Sequence, residues 1–304
     1  MVIILQFYKY VLIENPLIFQ EEYLQFCKSL GLLGRIYVAH EGINASISGK
    51  REQLEPLREK LTSDPRFEGM SFKEEESYGT PFRKMQVKIK NEICNFGYEV
   101  NVKHRGEYLE PKELVKMYEK KEDFVIVDAR NTYESKIGRF KDAIIPDIEN
   151  FRDFPSLLPA LEKYKDKKMV FYCTGGIRCE KATAFLKEKG FPKVYHVKDG
   201  IINFVQKYPN TYWEGANFVF DDRMVAHQGN KPITKCEKCG ELSDFYINCK
   251  NAVCNRRVIM CRPCQEKHSK CCTEECLKVF RNSREHKREL KEIEEFAKAI
   301  ASGW

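Results

Sequence analysis

No run of eighteen apolar residues occurs in the 304-residue chain, so no segment has the length of a membrane-crossing helix. The apolar start Val2-Ile3-Ile4-Leu5 is broken by Gln6 and Lys9, too short for a signal-peptide core, and a soluble cytoplasmic protein with no membrane partner is expected. Low-complexity tracts are missing as well. With 42% hydrophobic residues the chain reads as globular, and it is long enough for two or three domains with separate cores. There is no flavin or nicotinamide fingerprint, and no His-x-Asp with a distant histidine of the kind that forms a facial-triad iron site. The formal charge of +7 leans modestly towards polyanionic partners and excludes little.

Cysteine, by contrast, is abundant. Thirteen in a chain read as cytoplasmic point to metal and redox chemistry more than to disulfides, and nine of them lie between residues 236 and 276. Cys236-x2-Cys239 and Cys261-x2-Cys264 have knuckle spacing, while Cys249-x4-Cys254 is mirrored by Cys271-x4-Cys276. Four pairs make two four-cysteine sites, and the interleaved order suggests a cross-brace, first pair with third and second with fourth. Two structural zinc ions are expected, with Cys272 and His268 left over as ligands able to replace a neighbour. A disulfide-stapled module and an iron–sulfur cluster are the competing readings. The lack of a secretory signal counts against the first, and the regular pairing against the second.

One cysteine outside that region has the setting of a nucleophile. Met169 to Tyr172 is a short apolar run suited to a buried strand, and from Cys179 to Lys189 apolar residues recur at helical spacing up to Gly190. Between them lies Cys173-Thr174-Gly175-Gly176-Ile177-Arg178. Strand, glycine-bearing loop and helix N-terminus aim backbone N–H groups and the helix dipole at one point, and Arg178 adds a full positive charge. Such surroundings acidify a thiol. Cys173 is therefore read as nucleophile, Arg178 as its charge partner, and Thr174, Gly175, Gly176 and Ile177 as the cradle. Cys179, in the first turn of the helix, is either a residue tucked under the loop or a resolving thiol that closes a disulfide with Cys173, provided their α-carbons come within about 7 Å.

Cysteine and arginine with four residues between them resemble the active loop of rhodanese domains. Protein tyrosine phosphatases place five between the pair, and the shorter loop suits a sulfur atom better than a tetrahedral phosphate. Phe124 to Arg130, followed by Glu134, Gly138, Phe140, Ala143 and Pro146, resembles the signature those domains carry upstream, with Arg139 where many have histidine. The resemblance implies that Asp128 braces the active loop through Arg178 and that Cys173 carries a persulfide. Three longer stretches are similar to one group of rhodanese-related proteins, the oxygen-dependent tRNA uridine(34) hydroxylases. They are Gly34-Arg35-Ile36 with Glu41-Gly42-Ile43-Asn44-x-x-Ile47-Ser48-Gly49, then Gly106-Glu107-Tyr108-Leu109-x-Pro111, and Tyr172 to Lys181 in full. This resemblance implies a tRNA substrate rather than DNA, O2 as co-substrate, and hydroxylation of the wobble uridine at carbon 5. Cys173 would attack the pyrimidine or carry an activated sulfur or oxygen adduct. The alternatives are a thiosulfate or persulfide sulfurtransferase, for which Cys173 also suffices, and a non-catalytic zinc-bearing interaction protein, against which the intact Cys173 and Arg178 argue.

The expected architecture is α/β and multi-domain. In residues 1–95 the order β-α-β-β-α-β, closed by the alternating strand Met85 to Lys90, predicts a ferredoxin-like α+β domain. A linker over 96–110 precedes a rhodanese domain over 111–215, whose alternating strands and helices imply a parallel sheet with Cys173 at the carboxyl end of a strand. The cysteine-rich module spans 216–276, and a charged helical tail over 277–304 carries a stripe of Leu277, Phe280, Leu290, Ile293 and Phe296. Arg281, Arg284, Lys287 and Arg288 on that tail meet either phosphate or solvent. Arg35, Lys50, Arg51, Arg83, Lys84, Lys88 and Lys90 gather near strand ends of the front domain. They form either a solvated face or an RNA-contacting surface, with Arg35, Lys50, Arg83 and Lys84 as the candidates.

Overall fold

Alternation along the first strand sets the plan of the front domain, because Ile3, Leu5 and Phe7 take one face while Gln6, Tyr8 and Tyr10 take the other. The computed structural model describes residues 1–227, 229–283, 288–289 and 291–292, in two compact units spanning 1–230 and 231–304. The front domain runs Val2–Tyr10 (β1), Pro16–Ser29 (α1), Leu33–Ala39 (β2), Gly42–Gly49 (β3), Arg51–Thr62 (α2), Phe72–Ser77 (β4) and Met85–Ile89 (β5). Asn15 caps α1, its side chain accepting from the N–H groups of Leu17 and Ile18, and Pro16 opens the first turn. Phe19, Tyr23 and Cys27 of α1 and Leu54, Leu57 and Leu61 of α2 pack on the apolar face of the sheet.

The sheet order is β4-β1-β3-β2-β5, antiparallel except for β5, which runs parallel to β2. The strand that closes the sandwich is therefore β4, not Met85 to Lys90 as its alternation suggests. β5 is a fifth strand added at the far edge. β4 escapes sequence reading because Lys73 to Glu76 is wholly charged, yet Lys73 and Ser77 are buried by the layer that covers this face of the sheet.

The second half of the same unit contains Glu107–Leu109 (β6), Pro111–Glu119 (α3), Phe124–Asp128 (β7), Thr132–Ile137 (α4), Gly138–Phe140 (β8), Leu158–Leu161 (α5), Lys168–Tyr172 (β9), Ile177–Glu188 (α6), Val194–Val197 (β10), Gly200–Lys207 (α7), Trp213–Gly215 (β11), Asn217–Phe218 (β12) and Val225–Ala226 (β13). Four strands form a parallel sheet in the order β6-β10-β9-β7. β7 and β9 are apolar on both faces, as covering layers on both sides require, whereas the edge strand β6 exposes Glu107 and Tyr108. Met169 and Phe171 of β9 pack with Phe154 and Phe185 on one side, while Val170 and Tyr172 pack with Leu114, Ile201 and Phe204 on the other. Glu107–Leu109, within the stretch read as linker, supplies an edge strand of this sheet. β11 pairs with β8, the unit runs on past 215 through β12 and β13, and the second unit begins at Lys231.

The second unit holds Tyr246–Asn248 (β14), Arg257–Ile259 (β15), Arg262–Lys267 (α8) and Glu274–Arg281 (α9). Thr273 caps α9 by accepting from the N–H of Cys276, and Leu277 and Phe280 are buried on its apolar side. Leu290, Ile293 and Phe296 of the expected stripe, with Arg284 and Lys287, lie outside the described residues. No helix among the described residues is long and apolar enough to cross a membrane.

Candidate active site

The active loop follows β9, a central strand of the parallel sheet, so Cys173 sits at the carboxyl edge where such sheets bind ligands. α6 begins at Ile177, earlier than its apolar periodicity indicates, with Gly176 as N-cap at φ 98°. The N–H of Gly176 donates to Cys173 Sγ at 3.2 Å. From below, the N–H groups of Ile201 and Ile202 in α7 bind the carbonyls of Cys173 and Thr174 at 3.0 and 3.2 Å. Gly200 makes this approach possible. A Cβ there would lie 2.3 Å from the Cys173 carbonyl oxygen and 2.7 Å from that of Thr174.

Burial alone would raise the Cys173 pKa, but the hydrogen bond from Cys179, the charge of Arg178 and the backbone N–H groups of Cys179 and Arg178 outweigh it and bring the thiol down to about 6. Cys179 moves the opposite way, pushed well up by burial and by its hydrogen bond to Cys173. The lowered value favours the thiolate at Cys173 and the raised one the protonated thiol at Cys179. Cys94 also lines the cavity, and burial raises its thiol to about 12.

Arg178 is not braced by Asp128. Its Nη1 and Nη2 donate to the two carboxylate oxygens of Glu134 at 2.5 and 2.8 Å, and Nη2 also reaches Thr174 Oγ1 at 3.2 Å. Glu134 is fully buried in the first turn of α4. Asp128 instead holds Arg130, through Nε at 2.9 Å and Nη2 at 2.6 Å, and accepts from Ser135 at 2.8 Å. The Arg130 guanidinium in turn donates to the Gly138 carbonyl at 2.6 Å and lies over the rings of Tyr172 and Trp213. Asp128 ends its strand two residues before Arg130, and its two carboxylate oxygens are taken up by that local pair and by Ser135. Asp128 therefore supports the scaffold beside the loop rather than the guanidinium that faces Cys173.

The polar face of the front sheet meets the active loop. Register places Lys73, Gln6, Ser46 and Arg35 in one row across four strands, and Tyr8, Asn44 and Tyr37 in the next. All seven line a cavity of about 460 Å³ whose other wall carries Cys173, Thr174, Gly175, Ile177 and Arg178. Lys73, 6% exposed, donates to Asp199 at 3.1 Å just before α7. Tyr8 and Tyr108 donate to Glu180 at 3.0 and 2.7 Å, and Tyr10 to the Ile177 carbonyl at 3.3 Å. Lys181 binds Glu41 and Glu92 of the front domain at 2.8 and 2.6 Å. Glu180 and Lys181, the last two residues of the ten-residue stretch, thus lock the helix behind the loop to the front domain.

Of the four RNA-contact candidates, Arg35 alone lines the cavity, its Nη1 donating to Tyr37 at 3.0 Å. Arg83 is exposed and pairs with Asp222 at 3.1 Å, while Lys50 and Lys84 are exposed outside the cavity wall. Sequence reading missed Tyr8, Lys73 and Phe220 as site residues, and Glu134 was visible only as a signature residue without its role.

In the second unit two cysteine groups are able to hold metal ions. One joins Cys236, Cys239, Cys261 and Cys264, the other Cys249, Cys254, Cys272 and Cys276, with all sulfurs of a group within 4.8 Å of one another. The pairing is the expected cross-brace, with one correction: Cys272 replaces Cys271. Adjacent residues point in different directions, and Cys271 turns fully into the core, its thiol donating to the Ser269 carbonyl at 3.6 Å. Closest sulfur separations of 3.5 to 3.6 Å suit the edges of a tetrahedron with Zn–S bonds of about 2.3 Å. His268 belongs to neither group and pairs with Glu274 at 3.4 Å.

A parallel sheet with an acidic cysteine on a tight loop ahead of a helix, and an arginine in that helix's first turn, defines a rhodanese-like protein. The rhodanese-like domain pattern matches residues 110–207, a UPF0176 acylphosphatase like domain matches residues 2–93, and a rhodanase C-terminal pattern matches residues 214–277. The tRNA uridine(34) hydroxylase of Cytophaga hutchinsonii is 43% identical, covering 90% of this chain and 89% of the relative. Those of Bacillus licheniformis and Onion yellows phytoplasma are 40% and 38% identical, covering 96% and 90% of this chain and 94% and 92% of the relatives. The chain belongs to the tRNA uridine(34) hydroxylase family.

Proposed function

We propose that this protein hydroxylates uridine 34 of tRNA at carbon 5, with Cys173 as nucleophile and O2 as the oxygen source. The observation that carries the reading is identity of about 40% with relatives of that name along nearly the whole chain. The Cys173 thiolate adds to C6 of the uracil, forming an S–C6 bond as the C5=C6 electron pair moves onto O4. C5 then takes one oxygen atom of O2, the other leaving as water with two protons and two electrons from an external reductant. Loss of the C5 proton and of the sulfur restores the C5=C6 bond. Arg178 and the loop N–H groups hold the sulfur as anion before attack and after release. Cys179 is the proton donor beside it and the thiol able to close a disulfide with Cys173. Arg35, on the cavity wall, supplies positive charge where a polyanion enters, while Lys73, buried and paired with Asp199, ties the start of α7 to the front sheet. Zinc in the two cysteine groups would supply folding stability to the second unit, since closed four-thiolate sites are structural.

The test is mass spectrometry of anticodon-loop nucleosides from cells lacking the gene and rescued with wild type or Cys173→Ser. A nucleoside about sixteen mass units above uridine that returns only with wild type supports the reading. No change in any nucleoside sinks it and moves attention to sulfurtransfer, tested by thiocyanate formation from thiosulfate and cyanide.

A further inference from the structure

One large aromatic side chain is displayed at the cavity rather than buried. Phe220 is 53% exposed and belongs to none of the hydrophobic clusters, yet it lines the same cavity as Cys173. It stands at the tip of the β12–β13 hairpin, with the Arg178 guanidinium carbon 5.7 Å from its ring centre and Phe218 edge-on at 5.2 Å.

The backbone of the tip is tied to its neighbours on both sides of the ring. The N–H of Val219 binds the Met224 carbonyl at 3.0 Å, and that of Asp222 binds the Pro81 carbonyl at 3.0 Å. Arg223 grips Asp221 at 2.7 Å and Glu75 of the front sheet at 2.6 Å. A half-exposed aromatic ring with a guanidinium over it, lining the same cavity as an acidic thiol, offers a flat heterocycle an aromatic surface to stack on and a cation close by.

We propose that Phe220 is the stacking surface for the target pyrimidine, holding the base over Cys173. The inference rests on the reading of the substrate as RNA. Unpaired bases in RNA loops are bound mainly by stacking on aromatic side chains, and removal of such a ring costs about 1–3 kcal/mol per base. That corresponds to roughly a 5- to 150-fold loss of affinity.

Two measurements test it on the full-length protein. In the first, hydroxylation is followed against tRNA concentration for wild type, Phe220→Leu and Phe220→Trp. Leucine keeps apolar volume without a π-face, so KM rises at least five-fold and kcat falls less than KM rises, while tryptophan restores KM towards wild type. A wild-type KM in Phe220→Leu overturns the proposal. In the second, an anticodon stem-loop carrying uridine or an abasic site at position 34 is added to Phe220→Trp, and the fluorescence of the native tryptophans is subtracted using wild type. Quenching by the uridine oligonucleotide and not by the abasic one supports stacking; equal response, or none to either, overturns it. Should wild type hydroxylate no tRNA, the functional reading fails, and the fluorescence comparison still decides the stacking claim.

Discussion

Arg178 and Glu134, forty-four residues apart, form a two-pronged ion pair, with nitrogen–oxygen distances of 2.5 and 2.8 Å between the helix that follows the active loop and one that lies ahead of it in the chain. Both partners are buried, so the pair leaves an uncompensated charge if one side is removed. Glu134→Gln should lower unfolding free energy by on the order of 3 kcal/mol, read from urea titration. Removing both charges in Glu134→Gln with Arg178→Met should recover much of that stability but not the acidity of Cys173. Alkylation of Cys173, read by peptide mass spectrometry, should rise with pH through a midpoint near 6 in wild type. In the double variant the midpoint should move up towards the ordinary thiol value of about 8.5, because one of the influences lowering it is gone. An unmoved midpoint would remove Arg178 from the activation of the thiol.

The glycines around the loop are not equivalent. Gly200→Ala would force a Cβ to within 2.3 Å of the Cys173 carbonyl at a φ of +66°, so backbone must move. A stability loss of about 2 kcal/mol or more and loss of activity are expected. Gly175→Ala meets only the Lys73 side chain, at 3.7 Å, an ordinary contact, and should fold with wild-type stability in thermal unfolding. Equal damage from both changes would contradict this account of the loop.

Lys181 sits between two carboxylates of the front domain, its side chain 3% exposed. Lys181→Met leaves Glu41 and Glu92 without their cation and should lower Tm by several degrees, with Lys181→Arg recovering part of it. Burial works to raise the Glu92 pKa, but hydrogen bonds from Lys181 and from the N–H groups of Phe96 and Gly97 lower it overall. A carboxylate more acidic when folded contributes stability that is present above its unfolded pKa near 4.3. That contribution is lost as pH falls through the lower folded value. The stability gap between wild type and Lys181→Met should therefore narrow below about pH 4; a gap unchanged by acid would mean that Lys181 acts through packing.

Metal content separates adjacent cysteines. Wild-type protein should carry two zinc ions per chain, Cys272→Ser should lose one, and Cys271→Ser should keep both while losing some stability as a buried thiol becomes a hydroxyl. Removing the metal with a strong chelator should unfold residues 231–283, read by circular dichroism. Loss of an ion from Cys271→Ser instead would reverse the ligand assignment.

Much of this protein was determined by local sequence alone. The apolar run, glycine pair and helical spacing around Cys173 establish strand, loop and helix, and with them an acidic thiol, because each depends on neighbours within a few residues. Cysteine spacing likewise indicated two four-cysteine groups able to hold metal ions and their cross-braced order. Tertiary structure decided the rest, where the choice lies between residues that look alike in sequence. Asp128 and Glu134 are both acidic and close in the chain, and only the turn from β7 into α4 gives Arg178 to Glu134. Cys271 and Cys272 are neighbours, and only the direction of the backbone sends one to the core and the other to the ligand set. Lys73, Tyr8 and Phe220 carry no motif. They reach the active loop because sheet register and a hairpin tip bring distant segments to one cavity, a juxtaposition that no local periodicity encodes.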